Sequence, residues 1–344
     1  MNIKEIAEKA GVSVATVSYV LNKTGNVSDK TRARILKIVE ETGYVPNKIA
    51  KGLRAHKTNT IGVLAEDITS FQTPRIINGI NTYMEDHGYH ILLSNLGLLK
   101  TTNGRHNQNI ELGSRIEDSL KLFESTQVDG IIYVSHHDRN VSGLIRNLDK
   151  PLIYTYCFDD SNKHPYVTYD NKNITKQAVQ YLIENHHKEI GIIWGELDSK
   201  PAQKRYAGYV EGLEEYGFAV CDEYVYHGNW EYESGISAYK QYKFSSKKPT
   251  AIFAMNDLMA MGFINAALQD GMNLPDELSI IGFDNRESSR YFRPGLTTID
   301  LPLEQMGYES GRALLEAIKS ENRREEKIVL PCRFIKRDSV IPQK

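Results

Sequence analysis

Apolar positions at the start of the chain recur with helical spacing. Ile3, Ile6, Ala7 and Ala10 fall at i, i+3, i+4 and i+7, one face of a short helix that Asn2 can cap. Gly11 follows where a chain leaving a helix favours a left-handed residue. Val12 can plug the corner, and Ser13 can cap a second helix running from Val14 to about Asn22. That helix carries Val17, Val20 and Leu21 on one side and leaves Val14, Ala15, Ser18 and Tyr19 on the other. A third helix is predicted from near Ser28 to Thr42, burying Ile35, Leu36 and Val39 and ending at Gly43. Two short helices joined by a glycine-containing turn and braced by a third predict a helix-turn-helix, whose second helix reads the major groove. A three-helix protein-interaction module would show the same pattern.

From Thr60 onward the period changes. Strand-like apolar runs at 61–65, 90–94, 130–135 and 152–157 alternate with helical patterns, and a second series follows at 190–194, 223–226, 251–254 and 280–283. Strands alternating with helices predict parallel sheets covered on both faces, and two series predict two doubly wound lobes. Ligands bind beyond strand C-termini in such sheets, which places a site in the cleft between the lobes. The stretch 97–113 is polar and aperiodic and reads as a flexible surface loop. The last strand-like stretch is 327–340, and no leucine heptad follows it, so a dimer is expected and not a tail-assembled tetramer.

Charge sharpens the division. Residues 1–58 hold 11 Lys/Arg against 5 Asp/Glu, whereas the remainder is acidic and the whole chain carries a formal net charge of −2. A basic end on a larger acidic body suits one terminal nucleic-acid-binding module, although chance clustering of surface charge gives the same numbers. Between the two regions, Pro46 opens a short basic segment in which Ala50 and Leu53 form an i, i+3 apolar pair. So short a helix needs a partner: the same helix of a second subunit, DNA, or both. Leu53 can then act as a minor-groove wedge, or the segment is a linker with a stray leucine. With 40% hydrophobic residues, no apolar run of membrane-spanning length and no signal-peptide pattern, the chain reads as cytoplasmic. Cys157, Cys221 and Cys332 lie too far apart for a zinc site or a disulfide framework.

The run IKEIAEKAGVSVATVSYVLN followed by VSDKTRARILKIVEETGYVPNKIAKGLR resembles the headpiece and hinge helix of the LacI/GalR family of bacterial regulators, continuously from Ile3 to Arg54. The body resembles that family's two-lobed, periplasmic-binding-protein-like effector domain. The resemblance implies an all-α helix-turn-helix headpiece (1–46), a hinge helix and linker (47–59), and an α/β two-lobed domain with parallel doubly wound sheets (60–344). It implies base contacts from Val14, Ala15 and Tyr19, and phosphate contacts near Asn2, Ser13, Thr16, Asn22, Ser28, Thr31 and Tyr44. The hinge would bind DNA through Asn47, Ala50, Leu53 and Arg54. Tyr19 stands where the family often has arginine, so no guanine preference carries over to that operator position.

By the same resemblance Arg205, Trp230, Asn256 and Asp284 form an effector site, with Phe71 as an apolar wall from the first lobe. Chemically these residues suit a sugar: Asp, Asn and Arg bond vicinal hydroxyls, and an indole packs on the ring's C–H face. Taken singly, Trp230 can be core, the aspartates helix caps and Arg205 a surface ion-pair partner. The family often closes the strand LIYTYC with an acidic residue, and Tyr156-Cys157 here leaves a phosphorylated or larger sugar, or a purine, open. His136-His137 and His186-His187 read as solvated surface in preference to metal ligands.

Three functions compete: a ligand-controlled transcription regulator, a transport sugar-binding protein, and an enzyme using Asp257 and Asp284 as an acid/base pair. The basic headpiece and the missing signal peptide count against transport, and no nucleophile elbow, phosphate loop or HExxH supports catalysis. The expectation is a homodimeric, non-enzymatic repressor without cofactor or membrane contact. It would bind a roughly palindromic double-stranded operator and a small-molecule effector.

Overall fold

The first three helices form where the apolar period places them: α1 (Ile3–Ala10), α2 (Val14–Leu21) and α3 (Asp29–Thr42). The Asn2 side chain accepts from the Lys4 and Glu5 amides at 3.0 and 3.1 Å, and the Glu5 carboxylate takes the Asn2 amide at 3.1 Å. This reciprocal box satisfies the free donors of the helix start. Gly11 leaves α1 at φ 59°, the left-handed exit its position requires. Ile6, Val17, Val20 and Ile35 pack into one small core. Leu36 does not join them; one residue further round the helix than Ile35, it stays 47% exposed.

The computed structural model describes residues 2–44, 57–99, 109–146, 148–320 and 326–343. It divides into two compact units, Met1–Asn59 and Thr60–Lys344. The hinge candidates Asn47, Ala50, Leu53 and Arg54 lie outside the described residues.

The larger unit begins β1 (Thr60–Ala65), α4 (Thr73–Asp86), β2 (His90–Asn95), α5 (Asn109–Ser125), β3 (Ile131–Val134), β4 (Leu152–Thr155) and β5 (Tyr166–Tyr169). It continues through α6 (Asn171–Glu184), β6 (Ile190–Trp194), α7 (Lys200–Glu214), β7 (Val225–His227), α8 (Tyr232–Phe244), β8 (Ala251–Ala254), α9 (Asp257–Gln269) and β9 (Ser279–Ile281). Then come α10 (Glu287–Tyr291), β10 (Thr298–Asp300), α11 (Leu303–Lys319), β11 (Lys327–Leu330) and β12 (Arg333–Ile335). A six-stranded sheet in the order β11-β5-β4-β3-β1-β2 builds the first lobe, and a four-stranded sheet, β7-β6-β8-β9, builds the second. Both are parallel throughout. Strands β3, β4 and β8 are wholly buried, as strands covered by helices on both faces must be.

The chain crosses between lobes three times: after β5, between β10 and α11, and between β11 and β12. Helix α11 returns to the first lobe and lies against α4 backbone to backbone. A Cβ at Gly79 would stand 1.9 Å from the Glu304 carbonyl oxygen, and one at Gly307 would stand 2.0 Å from that of Ile76. Only glycine permits this approach.

Several expectations change. The stretch 327–340 is not one strand: Pro331, which lacks a donor, separates β11 in the first lobe from β12, which pairs antiparallel with β10 in the second. The supposed loop 97–113 ends in helix from Asn109, with Leu112 3% exposed in a core beneath it. Strand β7 starts late because Asp222–Tyr224 forms a 3-10 turn. His187 is not solvated; it is 2% exposed, with Nδ1 against Thr250 Oγ1 and Nε2 against the Ile341 carbonyl, both at 3.0 Å. His186 is exposed.

Candidate functional site

Two surfaces carry the candidate chemistry, and each is built from helix or strand ends. In the headpiece, Ser13 Oγ accepts from the Thr16 amide at 3.1 Å and Ser28 Oγ from the Thr31 amide at 3.4 Å. The same two serines share hydrogen bonds with the Thr16 and Thr31 hydroxyls. Asn2, Ser13 and Ser28 therefore mark three helix N-termini, places where amide donors and the helix dipole favour phosphate. On the outer side of α2, Val14 is 40% and Tyr19 50% exposed, and Ala15 is exposed beside them. Asn22 binds back to the Ser18 carbonyl at 2.8 Å, and Tyr44 is half-buried.

In the larger unit a cavity of about 270 Å³ lies between the lobes. Arg205, Trp230, Asn256 and Asp284 line it from the second lobe, and Phe71 lines it from the first. Helix α7 sets Arg205 almost fully buried, its Cζ 3.5 Å from the Phe283 ring centroid. Its Nε donates to Asn171 Oδ1 at 2.8 Å and one terminal nitrogen to Tyr169 Oη at 3.1 Å; the other donates to the Met255 carbonyl. Arginine thus ties the first crossover to the end of β8 and retains two N–H groups for a ligand. Asn256 caps α9, taking the Met259 amide at 2.8 Å, while its Nδ2 donates to the Trp230 carbonyl at 2.7 Å. It is as much a brace for Trp230 as a lining residue. The Trp230 indole lies over Gly195, where a Cβ would come within 2.2 Å of the ring.

Three lining residues hold a positive φ: Tyr156 at 60°, Trp230 at 73° and Asp284 at 114°. Such backbones cost about 1–3 kcal/mol each in non-glycine residues and gather at ligand sites. The lobes also touch across the cleft. Arg286 stacks on Phe71 at 4.2 Å, and Lys204 reaches Asp138 Oδ2 at 3.4 Å.

Residues 2–47 match the family described as bacterial regulatory proteins, lacI family, and residues 179–340 match the periplasmic binding protein-like domain. The chain is 35% identical over 342 residues to catabolite control protein A of Priestia megaterium, covering 98% of this chain and 99% of that protein. It is 31% identical over 340 residues to the HTH-type transcriptional repressor PurR of Vibrio campbellii, covering 98% of each. It belongs to the lacI family. Among solved structures, the lac repressor dimer bound to operator and the anti-inducer ONPF superposes with a TM-score of 0.82 at 23% identity, covering 99% of each chain, a likeness of fold. The transcriptional regulator CelR in complex with cellobiose superposes with a TM-score of 0.68 at 25% identity, covering 99% of this chain and 100% of that one. The protein is thus, like these relatives, a lacI-family transcription regulator and not an enzyme.

Electrostatics distinguishes the two walls of this regulator's cleft. Burial and the neighbouring Asp284 push Asp257 up to about 8. Asp257 is fully buried, one oxygen taken by Thr298 Oγ1 at 2.5 Å and the other by the Arg286 amide at 2.7 Å. It supports the site from behind, and the helix cap expected of it belongs to Asn256. Burial lifts Asp284 to about 6 against the pull of Arg205 and Arg286. In the first lobe, burial of Glu66 is more than offset by Arg139, Tyr133 and the His136 amide, which hold its carboxyl below the ordinary range.

The residues that went unread lie mainly in the first lobe. His136 and His137, expected at the solvated surface, line the cavity; His136 Nδ1 meets Ser70 Oγ at 2.5 Å, and Gln72 donates to the His136 carbonyl at 2.6 Å. Tyr156 stacks on Tyr169 with centroids 5.3 Å apart, while Cys157 turns into the core. His136, His137 and Asp138 follow β3 after Ser135, so the strand-end rule applied to Asn256 and Asp284 would have found them.

Proposed function

We propose that this regulator is a dimeric repressor that binds a roughly palindromic operator through residues 1–46 and a hinge at 47–59. Its unit 60–344 would take a sugar or sugar derivative between its lobes. One observation carries the reading. Arg205 and Asp284, with Trp230 and Phe71 beside them, converge from both lobes on one cavity, in a chain that also carries an exposed recognition helix. Hydrogen-bonding groups that share a cavity with an indole and a phenyl ring suit the alternating polar edge and C–H face of a sugar. The cellobiose complex of CelR supports the same ligand class.

The mechanism is a linkage. The ligand changes the angle between lobes joined by three crossovers, and dimer contacts pass that change to the hinge. A coupling of about 1–3 kcal/mol would alter operator affinity 5- to 150-fold. Phosphate contacts from the helix starts at Asn2, Ser13 and Ser28 position the headpiece, and Val14, Ala15 and Tyr19 read bases.

The test is a thermal-shift screen of sugars, sugar phosphates and nucleobases, followed by titration of the hit in the presence of a duplex selected from a random pool. A sugar should raise the melting temperature by mass action and shift operator affinity. Phe71→Ala and Asp284→Asn should abolish both responses, and Tyr19→Ala should weaken operator binding alone. A nucleobase hit with no sugar hit would replace the ligand class.

A further inference from the structure

A second cavity, of about 680 Å³, adjoins the effector cleft and shares Phe71 and Arg286 with it. Five arginines line it: Arg75, Arg286, Arg290, Arg333 and Arg337, against two acids, Glu287 and Asp300. Arg75 comes from α4 of the first lobe, and the other four come from the second. The positive charge is only partly answered. Asp300 is shared between Arg333 at 2.5 Å, Asn285 at 3.1 Å and Arg75 at 3.7 Å. These partners hold its carboxyl below the ordinary range despite burial, so it counts as one full negative charge. Glu304 reaches Arg75 at 3.8 Å from outside, being 60% exposed. Arg337 spends its fork on neutral oxygens: Asn285 Oδ1 at 2.5 Å, Ser289 Oγ at 3.1 Å and the Leu296 carbonyl at 2.6 Å. The Nε of Arg286 is buried with no hydrogen-bond acceptor, Asp284 standing 3.8 Å away. Arg290 is exposed on the rim.

Excess guanidinium charge gathered in a concave site favours an anion there. A phosphate dianion, with three acceptor oxygens, matches their planar forks better than a single carboxylate does. We propose that this arginine-lined annex binds the phosphate of a small metabolite and that the anion ties Arg75 of the first lobe to the arginines of the second. Because Phe71 and Arg286 form the partition between the cavities, the phosphate can arrive free or as the end of a ligand seated in the cleft. Only that second route rests on the effector reading above.

Calorimetric titration of the full-length protein with inorganic phosphate and with pyrophosphate, at constant ionic strength, tests this directly. Saturable binding at millimolar concentration or tighter is expected, weakened about tenfold or more by Arg290→Glu and by Arg290→Ala/Arg333→Ala. The single exposed substitution keeps the test valid if loss of the Asp300 partner unsettles the fold. Trp230→Ala, which strips the cleft of its indole and lies outside the annex lining, should leave free phosphate binding in place, so failure of the effector reading is seen separately. A hexose phosphate and the same hexose without phosphate then separate the routes: a gain from the phosphate that Arg290→Glu removes assigns a tethered group, and equal binding of the two assigns free phosphate. Absence of saturable phosphate and pyrophosphate binding, or binding unchanged in Arg290→Glu, overturns the proposal.

Discussion

The two walls of the cleft between the lobes bury carboxylates and treat them in opposite ways. In the first lobe Glu66 is fully buried and meets four donors: Tyr133, Ser135 at 3.1 Å, the His136 amide at 2.7 Å, and Arg139. In the second lobe burial raises the cost of ionising both Asp257 and Asp284, and Asp284 adds to that of Asp257, with Arg205 and Arg286 shared among other tasks. The first wall is a finished network that holds His136 and His137 in place. The second retains unspent hydrogen-bonding and charge capacity, which is what a ligand of many hydroxyls can use. Burial alone does not decide a carboxyl's state; the number and charge of its donors do.

The contrast can be broken most severely at Arg139. Arg139→Ala leaves Glu66 charged, buried and short of its counter-ion, and should lower unfolding stability by about 3–5 kcal/mol in a urea titration. If the loss is under about 1 kcal/mol, the first wall is not the closed network described. Arg205→Met should be next, by about 2–3 kcal/mol, because Asn171 and the Met255 carbonyl lose a charged donor in a buried setting. It should also remove ligand-dependent stabilisation.

A smaller effect separates the walls by pH. Asp257 keeps its proton in the folded protein up to about 8, whereas unfolded aspartate releases it near 3.8. Between those values the native state binds more protons, so this group makes stability fall as pH rises. Asp257→Asn should flatten that fall, gaining on the parent at the alkaline end. Glu66, held below its ordinary value, works with the opposite sign: its contribution is present above 4.5 and is lost as pH drops through the lowered value. A variant whose stability follows the parent's pH curve would show that Asp257 is ionised in the native state. Least of all, Lys204→Ala removes a bridge to Asp138 that is 40% exposed on the lysine side, and should cost at most about 1 kcal/mol.

These contrasts also show what could be read along the chain. The headpiece was legible almost to the residue because caps, glycine exits and apolar spacing are local; Leu36 failed only because its neighbour Ile35 took the single buried position. In the second lobe, cavity-lining residues follow visible apolar strands, so Asn256 and Asp284 could be expected at the cleft. Strand β5 was hidden by its tyrosines, whose hydroxyls blur the apolar run, and with it went Tyr169 and Asn171. The Glu66 network joins residues about seventy positions apart, and the positive φ of Trp230 and Asp284 has no signature in side-chain type. Such features depend on tertiary context, which no local pattern carries.

The three crossovers have a consequence for the newborn chain. Strand β11 pairs in register with β5, Lys327 opposite Tyr166, and β12 pairs with β10. The first lobe's six-stranded sheet therefore lacks its edge strand, and the separate β10–β12 pair of the second lobe lacks one of its two strands, until 327–335 has been made. Such pairings between distant segments are slow to close and leave strand edges open meanwhile. The headpiece, by contrast, has its whole core within its first forty-odd residues. During synthesis the headpiece core is complete well before the larger unit is, so a chain cut short before β11 would keep a folded headpiece and lose the strands that close the larger unit.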